Sequence, residues 1–369
     1  MTTRVAVIGA GVVGLAAAWA LERKGYACLV FEHGAPGGGQ SAGESRIFRH
    51  VHDDRRQFEL AVRARRGWSQ WEAEFGVQLI SADGGMVLGE EGVNRLARYA
   101  GDAASRVREL SASDIKKLLP ILADYDGPAL IDESAGAIRT RLTIANLIGA
   151  VGLNLVPERV ESITPREDGG VAVVTSFGPR TFDAVVVAAG VGTAGLAATA
   201  GVEIPSSQQA HMRLTLPLRD GFASRLACIQ DSSGAFGETT AYGSPVRGNR
   251  EYAVGLALST DAGPSAQDTD ELADISRRTS AYIERAMPGL DMEGAVALQR
   301  WITELPWAAD GLAIWQAGDA YFIAGHNLFK LAPALGTTLS DCVAAGRVPP
   351  GFRPEDRLGR PTQSARPTG

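Results

Sequence analysis

The N-terminal segment shows a strand–helix–strand pattern of hydrophobic and polar positions. Residues 4–9 form a short β-branched run, which is typical of a buried parallel strand. Residues 11–24 carry alanine and leucine at helical spacing, and Gly25 follows as a terminating glycine. A second apolar run ends at Glu32. We predict a βαβ unit here.

Further along the chain, the pattern alternates between sheet-like and helical stretches. Residues 33–43 are glycine-rich and predict a loop, while residues 58–75 predict an amphipathic helix with Trp68 and Trp71 on one face. From Gly84 onward, short strands and turns indicate a second domain. The remaining predicted elements are a helix at 141–153, strands within 160–176 and 182–190, a strand-rich region at 208–258, a helix at 266–287, and a strand, loop and helix over 321–346.

The turn between the first strand and helix has the spacing G-x-G-x-x-G, formed by Gly9, Gly11 and Gly14. Such glycines permit a tight turn, close approach of a pyrophosphate and close packing of the helix on the strand. Glu32 ends the next strand, where a carboxylate can bind ribose hydroxyls. NAD and FAD both use this turn. The apolar strand that ends at Gly190 favours FAD, because its small residues let backbone approach a second part of a long cofactor.

Composition excludes several classes of protein. The chain has 369 residues, 45% hydrophobic and 21% charged, with a net charge of -6, so we expect no nucleic-acid or membrane partner. We see no signal peptide and no apolar run of the roughly 20 residues that a membrane span needs. Histidine spacing indicates no metal site. The odd, widely spaced cysteines predict no disulfide framework and fit a reducing cytoplasm: Cys28, Cys228 and Cys342.

Three motifs together carry a family resemblance. They are GESRIFRH at 43–50, FDAVVVAAG at 182–190 and AGHNLFKLAPALG at 324–336, following the N-terminal glycine turn. With them the chain resembles the D-amino-acid-oxidase superfamily, and within it monomeric sarcosine oxidase and N-methyltryptophan oxidase, from Val5 to about Arg357. The resemblance implies oxidation of the C–N bond of an amine or N-methyl amino acid by hydride transfer to FAD. The product is an imine, and H2O2 forms if oxygen is the electron acceptor.

The resemblance also implies an α/β fold (α+β overall) with two domains. A Rossmann-like FAD-binding domain of the glutathione-reductase type is assembled from separate segments, and a substrate domain contributes a mixed or antiparallel sheet. We expect the FAD-binding domain to comprise 1–83, 139–205 and 296–350, and the substrate domain to comprise 84–138 and 206–295. Residues 351–369 are expected to form a mobile tail.

Carried over residue by residue, the resemblance implies a set of site residues. Arg46 is similar to an arginine near the flavin ring, and Tyr242 to an active-site tyrosine. Arg49 and Lys330 are similar to the pair that binds the substrate carboxylate. The resemblance and the glycine turn together imply these cofactor contacts: Gly9, Gly11, Val13, Gly14, Glu32, His33, Ser41, Ser45, Arg46, Val160, Ala189, Gly190, Gly325, His326 and Lys330.

The residues themselves support part of this assignment. Arg46, Arg49 and His50 lie three and four apart, so a helical turn would place them on one face. Arginine suits a planar carboxylate, although a solvated surface cluster is the alternative. Lys330 stands in an apolar run, where a buried lysine needs an anionic neighbour; the alternative is a lysine that extends to solvent.

The chain departs from the family pattern in two respects. No cysteine lies between Cys228 and Cys342, so the cysteine that tethers flavin in sarcosine oxidase has no counterpart, and we expect FAD to be bound non-covalently. The lysine that promotes oxygen reactivity is replaced by Ala253, and a nearby histidine by Ala257. Another cation, Arg46 or Arg250, would have to take that role in an oxidase.

Three hypotheses stay open at this stage. The protein is an amine oxidase, a dehydrogenase or biosynthetic tailoring enzyme that reacts poorly with oxygen, or a flavoprotein subunit without catalysis. The substrate is expected to be a secondary, N-methyl or cyclic amino acid, and loss of the lysine and histidine favours a bulky one. The aromatic residues available to line that space are Trp301, Trp307 and Trp315. We expect a cytoplasmic monomer or weak homo-oligomer.

Overall fold

A computed structural model describes residues 2–261 and 270–360. The helices are α1 Val12–Arg23, α2 Arg55–Phe75, α3 Glu90–Ala97, α4 Ala112–Leu118, α5 Thr140–Val151, α6 Thr193–Thr199, α7 Asp270–Ala286 and α8 Ala332–Ala345. The strands of the N-terminal half are β1 Arg4–Ile8, β2 Ala27–Phe31, β3 Ser45–Phe48, β4 Gly85–Leu88, β5 Val107–Glu109, β6 Ala129–Asp132, β7 Gly136–Arg139, β8 Leu155–Val156, β9 Val160–Pro165, β10 Val171–Thr175, β11 Gly178–Phe182 and β12 Ala184–Val187. The later strands are β13 Ser207–Pro217, β14 Cys228–Asp231, β15 Ala241–Val246, β16 Glu251–Leu256, β17 Thr260–Asp261, β18 Val296–Glu304, β19 Leu312–Ala317 and β20 Ala320–Gly325.

The first sheet has the order β19-β20-β12-β1-β2-β8 within the described residues. All neighbouring pairs in it are parallel except β19 and β20, which are antiparallel. Strand β1 lies at its centre, and its residues from Val5 to Ile8 are buried because both faces of the sheet are covered. Because these four strands are parallel, the carboxyl ends of β1, β2, β12 and β20 meet at one edge of the sheet.

Helix α1 packs so closely on its neighbours that most of it is buried. Its residues from Val12 to Leu21 have no exposed member, which explains the almost uninterrupted alanine and leucine content. Gly336 in α8 lies against the backbone of Ala16, where a Cβ atom would be 2.5 Å from the Ala16 carbonyl carbon. The C-terminal helix thus joins the N-terminal βαβ unit, as the sequence order predicted.

The second sheet is larger and mixed. Its order within the described part of the chain is β17-β13-β16-β15-β14-β4-β6-β5, and β18 pairs with β13 in addition. Because β18 lies in this sheet, the segment from residue 296 to 304 pairs with the strands assigned to the substrate domain. The two-domain division as a whole stays a prediction.

Two predictions about the C-terminal third need comment. The expectation of a mobile tail is wrong for residues 351–360: Phe352 and Leu358 are buried in the core, and the Leu358 carbonyl accepts a hydrogen bond from Trp307 Nε1 at 3.1 Å. Residues 361–369 lie outside the described residues, as does the start of the predicted helix 266–287, which is observed from Asp270 onward.

Among the described residues, no helix is both long enough and apolar enough to cross a membrane. No group of three or more histidine, cysteine, aspartate or glutamate side chains in that part of the chain is arranged to hold a metal ion. All three cysteines are buried and unpaired.

Candidate active site

The glycine turn lies at the edge where the parallel strands end. Gly9 has φ +100°, and a Cβ atom there would be 2.5 Å from the Ala188 carbonyl oxygen, so only glycine fits. A Cβ atom on Gly14 would overlap the Gly9 carbonyl oxygen, and Gly11 is the N-cap of α1. Gly9 and Gly14 therefore have the steric reasons expected of a dinucleotide-binding turn.

Polar groups surround this turn. Glu32, directly after β2, accepts hydrogen bonds from Ala10 N at 3.0 Å and Gly34 N at 2.8 Å. His33 Nδ1 lies 3.5 Å from the same carboxylate. Ser41 Oγ accepts a hydrogen bond from Val12 N at 3.0 Å, in the first turn of α1. These side chains line the position at which the helix N-terminus presents its amides.

The other predicted cofactor contacts divide between the same edge and more distant places. Ala189 and Gly190 follow β12, and Ala189 lies beside Gly9. Gly325 ends β20, the strand next to β12, and His326 follows it. Val13 is buried in the first turn of α1, Val160 starts β9, and Ser45 is buried against Ser244 with the two hydroxyl oxygens 2.8 Å apart.

The expectation of a helical turn at residues 46–50 is wrong. Residues Ser45–Phe48 form β3, which pairs antiparallel with β7 from Gly136 to Arg139. The side chains of Ile47 and Phe48 suit a strand, and pairing with β7 overrides the local spacing. Arg46 and Arg49 are therefore not on one face of a helix.

Arg49 and Lys330 do come together, but around a carboxylate of the protein itself. Arg49 Nη2 lies 3.1 Å from Asp310 Oδ2. Asn327 Nδ2 donates a hydrogen bond to Asp310 Oδ1, and His52 Nδ1 lies 3.6 Å from Asp310 Oδ2. Asp310 was missed from the sequence; its only local signal is an acid–glycine pair just before the buried strand β19.

Burial governs the ionisation of this group, which we call the Asp310 cluster (Arg49, His52, Asp310, His326 and Lys330). Burial and the positive charge of Arg49 lower the pKa of Lys330 to about 7, although the Asp310 carboxylate opposes this shift. Although burial opposes the shift, Lys330, His52 and Arg49 hold the pKa of Asp310 well below its usual value. Burial lowers the pKa of His52 to about 3 and also lowers the pKa of His326. The histidines are therefore neutral at pH 7, and Lys330 is poised between its two forms.

Tyr242 lies on the second sheet next to a histidine that the sequence did not single out. Its hydroxyl is 2.6 Å from His211 Nε2. Burial raises the pKa of Tyr242, whereas burial, with Arg213, lowers the pKa of His211 to about 3. At neutral pH the pair consists of a phenol and a free imidazole, joined across strands β15 and β13.

Ala253 lies on the same sheet, beside a second residue that sequence reasoning missed. Arg213 Nη2 donates hydrogen bonds to the Ala253 carbonyl at 3.3 Å and to Ser244 Oγ at 2.8 Å. Its guanidinium also lies 5.4 Å from the centroid of the Tyr242 ring. Arg250, by contrast, is exposed at the turn between β15 and β16. Of the two proposed replacement cations, Arg46 is near this region and Arg250 is not.

The three tryptophans do not line one space. Trp315 is buried in the core beneath the first sheet, where Trp307 packs beside it with ring centroids 6.3 Å apart. Trp301 is partly exposed on β18. Trp315 belongs to the hydrophobic core and Trp307, which is partly buried, packs against it, which argues against a place for either beside the substrate.

Fold and turn together define a dinucleotide-binding protein with a second sheet near the nucleotide edge. A sequence profile of the DAO family, described as FAD dependent oxidoreductase, matches residues 4–342. The chain therefore belongs to the DAO family of FAD-dependent oxidoreductases. Comparison with curated protein sequences gave no match.

Solved structures share this fold. NikD, described as an unusual amino acid oxidase essential for nikkomycin biosynthesis, has a TM-score of 0.81 at 20% identity, covering 99% of each chain. L-proline dehydrogenase from P. horikoshii has a TM-score of 0.80 at 19% identity, covering 96% of this chain and 97% of that one. Glycine oxidase from Geobacillus kaustophilus has a TM-score of 0.74 at 20% identity, covering 99% and 100%.

The residues present fit FAD. Gly9 and Gly14 leave no room for side chains at the turn, which keeps the backbone accessible to a pyrophosphate. Glu32 stands at the end of β2 within reach of the turn backbone. The 3₁₀ turn Leu328–Leu331, directly before α8, carries the buried Lys330.

Proposed function

We propose that this protein oxidises the C–N bond of a carboxylate-bearing secondary, N-methyl or cyclic amino acid to an imine, with non-covalent FAD. The observation that supports it best is the convergence of the half-buried Arg49 and the buried Lys330, two cations from distant parts of the chain that both interact with the Asp310 carboxylate. FAD bound in the nucleotide site supplies the hydride acceptor.

The residues of the Asp310 cluster bind and orient the substrate in this proposal. Arg49 uses Nη2 toward Asp310, which leaves its other nitrogen atoms for a substrate carboxylate. Lys330 in its ammonium form adds a second charged donor. Asp310 holds Arg49 in place and partly offsets the positive charge when no substrate is bound.

Tyr242 and His211 act on the amine side of the same substrate. Amine oxidation requires a neutral nitrogen, because only the free base can release a hydride from its α-carbon. His211 is a neutral imidazole at neutral pH and is hydrogen-bonded to Tyr242, and Arg213 and Arg300 disfavour positive charge beside it. The pair therefore orients the free base of the substrate and disfavours its ammonium form, and the proton is lost to solvent.

An anaerobic experiment tests this function. The purified holoprotein is mixed without oxygen with a panel of secondary and cyclic amino acids, and bleaching of the flavin absorbance is recorded. We expect bleaching by at least one of them, and a large loss of apparent affinity for it in Arg49→Met but not in the exposed-site control Arg219→Met. Failure of every carboxylate-bearing amine to bleach the flavin contradicts the proposal.

Admission of air to the reduced protein separates the two enzymatic hypotheses. Ala253 in place of a lysine favours a dehydrogenase, for which we expect slow reoxidation and fast reduction of an artificial acceptor dye. Prompt reoxidation with H2O2 in equal amount supports an oxidase instead.

A further inference from the structure

Three arginines come together at the start of β3, apart from the Asp310 cluster. Arg46 Nη1 and Arg213 Nη1 both donate to the Ser45 carbonyl, at 2.9 Å and 3.1 Å. Arg46 Nη2 donates to the Ala42 carbonyl at 2.8 Å, and Arg300 Nη1 donates to the same oxygen. Two shared acceptors therefore hold three guanidinium groups, from β3, β13 and β18, within a few ångströms of one another.

This group, the arginine triad (Arg46, Arg213 and Arg300), has no anionic partner among the described residues. Its hydrogen-bond acceptors there are backbone carbonyls and the Ser244 hydroxyl. The carboxylate of Glu44 acts at a distance to raise the pKa of Arg300, but it forms an ion pair with Arg141 Nη2, at 2.5 Å. Three positive charges are thus partly or fully buried without a compensating charge.

Two donor atoms of the triad are also unused. Arg213 Nε and Arg300 Nε are buried and have no hydrogen-bond partner, and Arg213 as a whole is only 5% exposed. An unpaired buried charge is costly, so such an arrangement persists where a ligand completes it. The pKa of Arg46 is lowered by burial and by the neighbouring Arg300 and Arg213. The pKa of Arg300 is lowered to about 10 by burial and by Arg213. Both shifts reflect the same deficit of negative charge.

The local sequence is shaped to permit this approach. Gly43 has φ +110°, and a Cβ atom there would overlap the guanidinium of Arg300. A residue with a side chain would therefore both strain the backbone and displace Arg300. The loop that brings Ala42 and Ser45 to the triad needs glycine at this position.

We propose that the arginine triad is a second anion-binding site, distinct from the Asp310 cluster, that takes a small singly charged anion such as a halide or a carboxylate group. The anion is either a free ion or the second carboxylate of a substrate with two acidic groups. Arg46 lies in β3 and Arg49 just beyond its end, and their hydrogen bonds have no partner in common: Arg46 donates to backbone carbonyls of residues 40–45, and Arg49 donates to Asp310.

Bromide binding to the holoprotein tests the site without any amine substrate, so it does not depend on the proposed function. Sodium bromide is titrated at constant ionic strength with gluconate as the balancing salt, and the flavin spectrum and melting temperature are followed. We expect a saturable change, with at least tenfold weaker binding in Arg300→Gln and in Arg213→Gln. The control Arg250→Gln, in the exposed turn between β15 and β16, should bind like the parent protein.

Arg300→Gln serves if the deeply buried Arg213→Gln does not fold, because Arg300 lies on the partly exposed strand β18. A change that is not saturable, or that is equal in Arg300→Gln and Arg250→Gln, overturns the proposal. The measurement uses the FAD-loaded protein. Absence of bromide binding would mean that the cofactor alone satisfies the triad, and it would also overturn the proposal.

Competition identifies the source of the anion once bromide binding is established. Thiodiacetate carries two carboxylates around a sulfur atom, and methylthioacetate carries one. Displacement of bromide by thiodiacetate but not by methylthioacetate assigns the triad to a second substrate carboxylate. Retention of bromide with both compounds assigns it to a free ion.

Discussion

Ionisation of Lys330 should control carboxylate binding in the neutral pH range. The ligand methylthioacetate has sulfur in place of the amine nitrogen, so it does not itself titrate between pH 6 and 9. Because the pKa of Lys330 is about 7, its ammonium form predominates at pH 6 and its neutral form at pH 9. Affinity should therefore fall as pH rises through about 7.

The magnitude follows from one charge-assisted hydrogen bond. Such a bond is worth about 1.5–3 kcal/mol, which corresponds to roughly a 10- to 100-fold change in Kd. Burial lowers the pKa of His326, another titratable member of the Asp310 cluster, below its ordinary value of 6.5. The pKa of His52 and that of His211 are about 3, and Arg300 titrates at about 10. The pKa of Tyr242 is raised above its ordinary value of 10.0.

The assay is a titration of the holoprotein with methylthioacetate at intervals from pH 6 to 9, read from the perturbed flavin absorbance. The parent protein should show the 10- to 100-fold rise in Kd, and Lys330→Met should show a weak, nearly constant affinity. Lys24→Met is the control, because Lys24 lies on the surface beside Asp341. A constant Kd in the parent protein, or an equal pH dependence in Lys330→Met, would refute the reasoning.

Three further predictions concern the fold around the site. Gly14→Ala should purify without flavin, because the added methyl overlaps the Gly9 carbonyl. The control Gly149→Ala, on the exposed side of α5, should keep its flavin. The ratio of flavin to protein absorbance measures the flavin content of each variant. Trp68→Phe should lower the free energy of unfolding by about 1–3 kcal/mol more than Trp71→Phe. The reason is that Trp68 Nε1 donates to the Lys330 carbonyl, whereas Trp71 Nε1 has no partner. Equal values in denaturant titrations would contradict this. Although burial opposes the shift, hydrogen bonds from His50 and Ser134 lower the pKa of Asp132 below its ordinary value of 3.8. The contribution of the Asp132 carboxylate to the free energy of unfolding is therefore present above pH 3.8 and is lost as pH falls through the folded-state pKa. Asp132→Asn should therefore be less stable than the parent at pH 7, with a deficit that shrinks below pH 3.8, while the exposed Asp124→Asn should show no deficit at either pH.

The nucleotide half of the site could be predicted from sequence because its determinants are local. The spacing of Gly9, Gly11 and Gly14 between a strand and a helix, with Glu32 at the end of the next strand, specifies the turn within one βαβ unit. In the structure the three glycines form the turn before α1, and Glu32 accepts a hydrogen bond from the backbone of that turn at Ala10 N. Short-range steric rules are sufficient for such a motif.

The substrate half could be predicted only in part, because its contacts join distant strands. Asp310 is 261 residues from Arg49, and the pairing of β3 with β7 overrode the helical spacing at residues 46–50. Arg213 and Arg300 come from β13 and β18, whose register places Arg300 opposite His211. No local pattern marks such residues, since their significance depends on the sheet that brings them together.

The central claim is that the protein recognises an amine through its carboxylate before oxidising the C–N bond. The most direct measurement compares flavin reduction, without oxygen, by matched pairs that differ only in the carboxylate: proline with pyrrolidine, and pipecolate with piperidine. The account predicts that a carboxylate-bearing member reduces the flavin and that its partner is at least tenfold less efficient. Equal reduction by both members of a pair, or reduction by the simple amines alone, would contradict it.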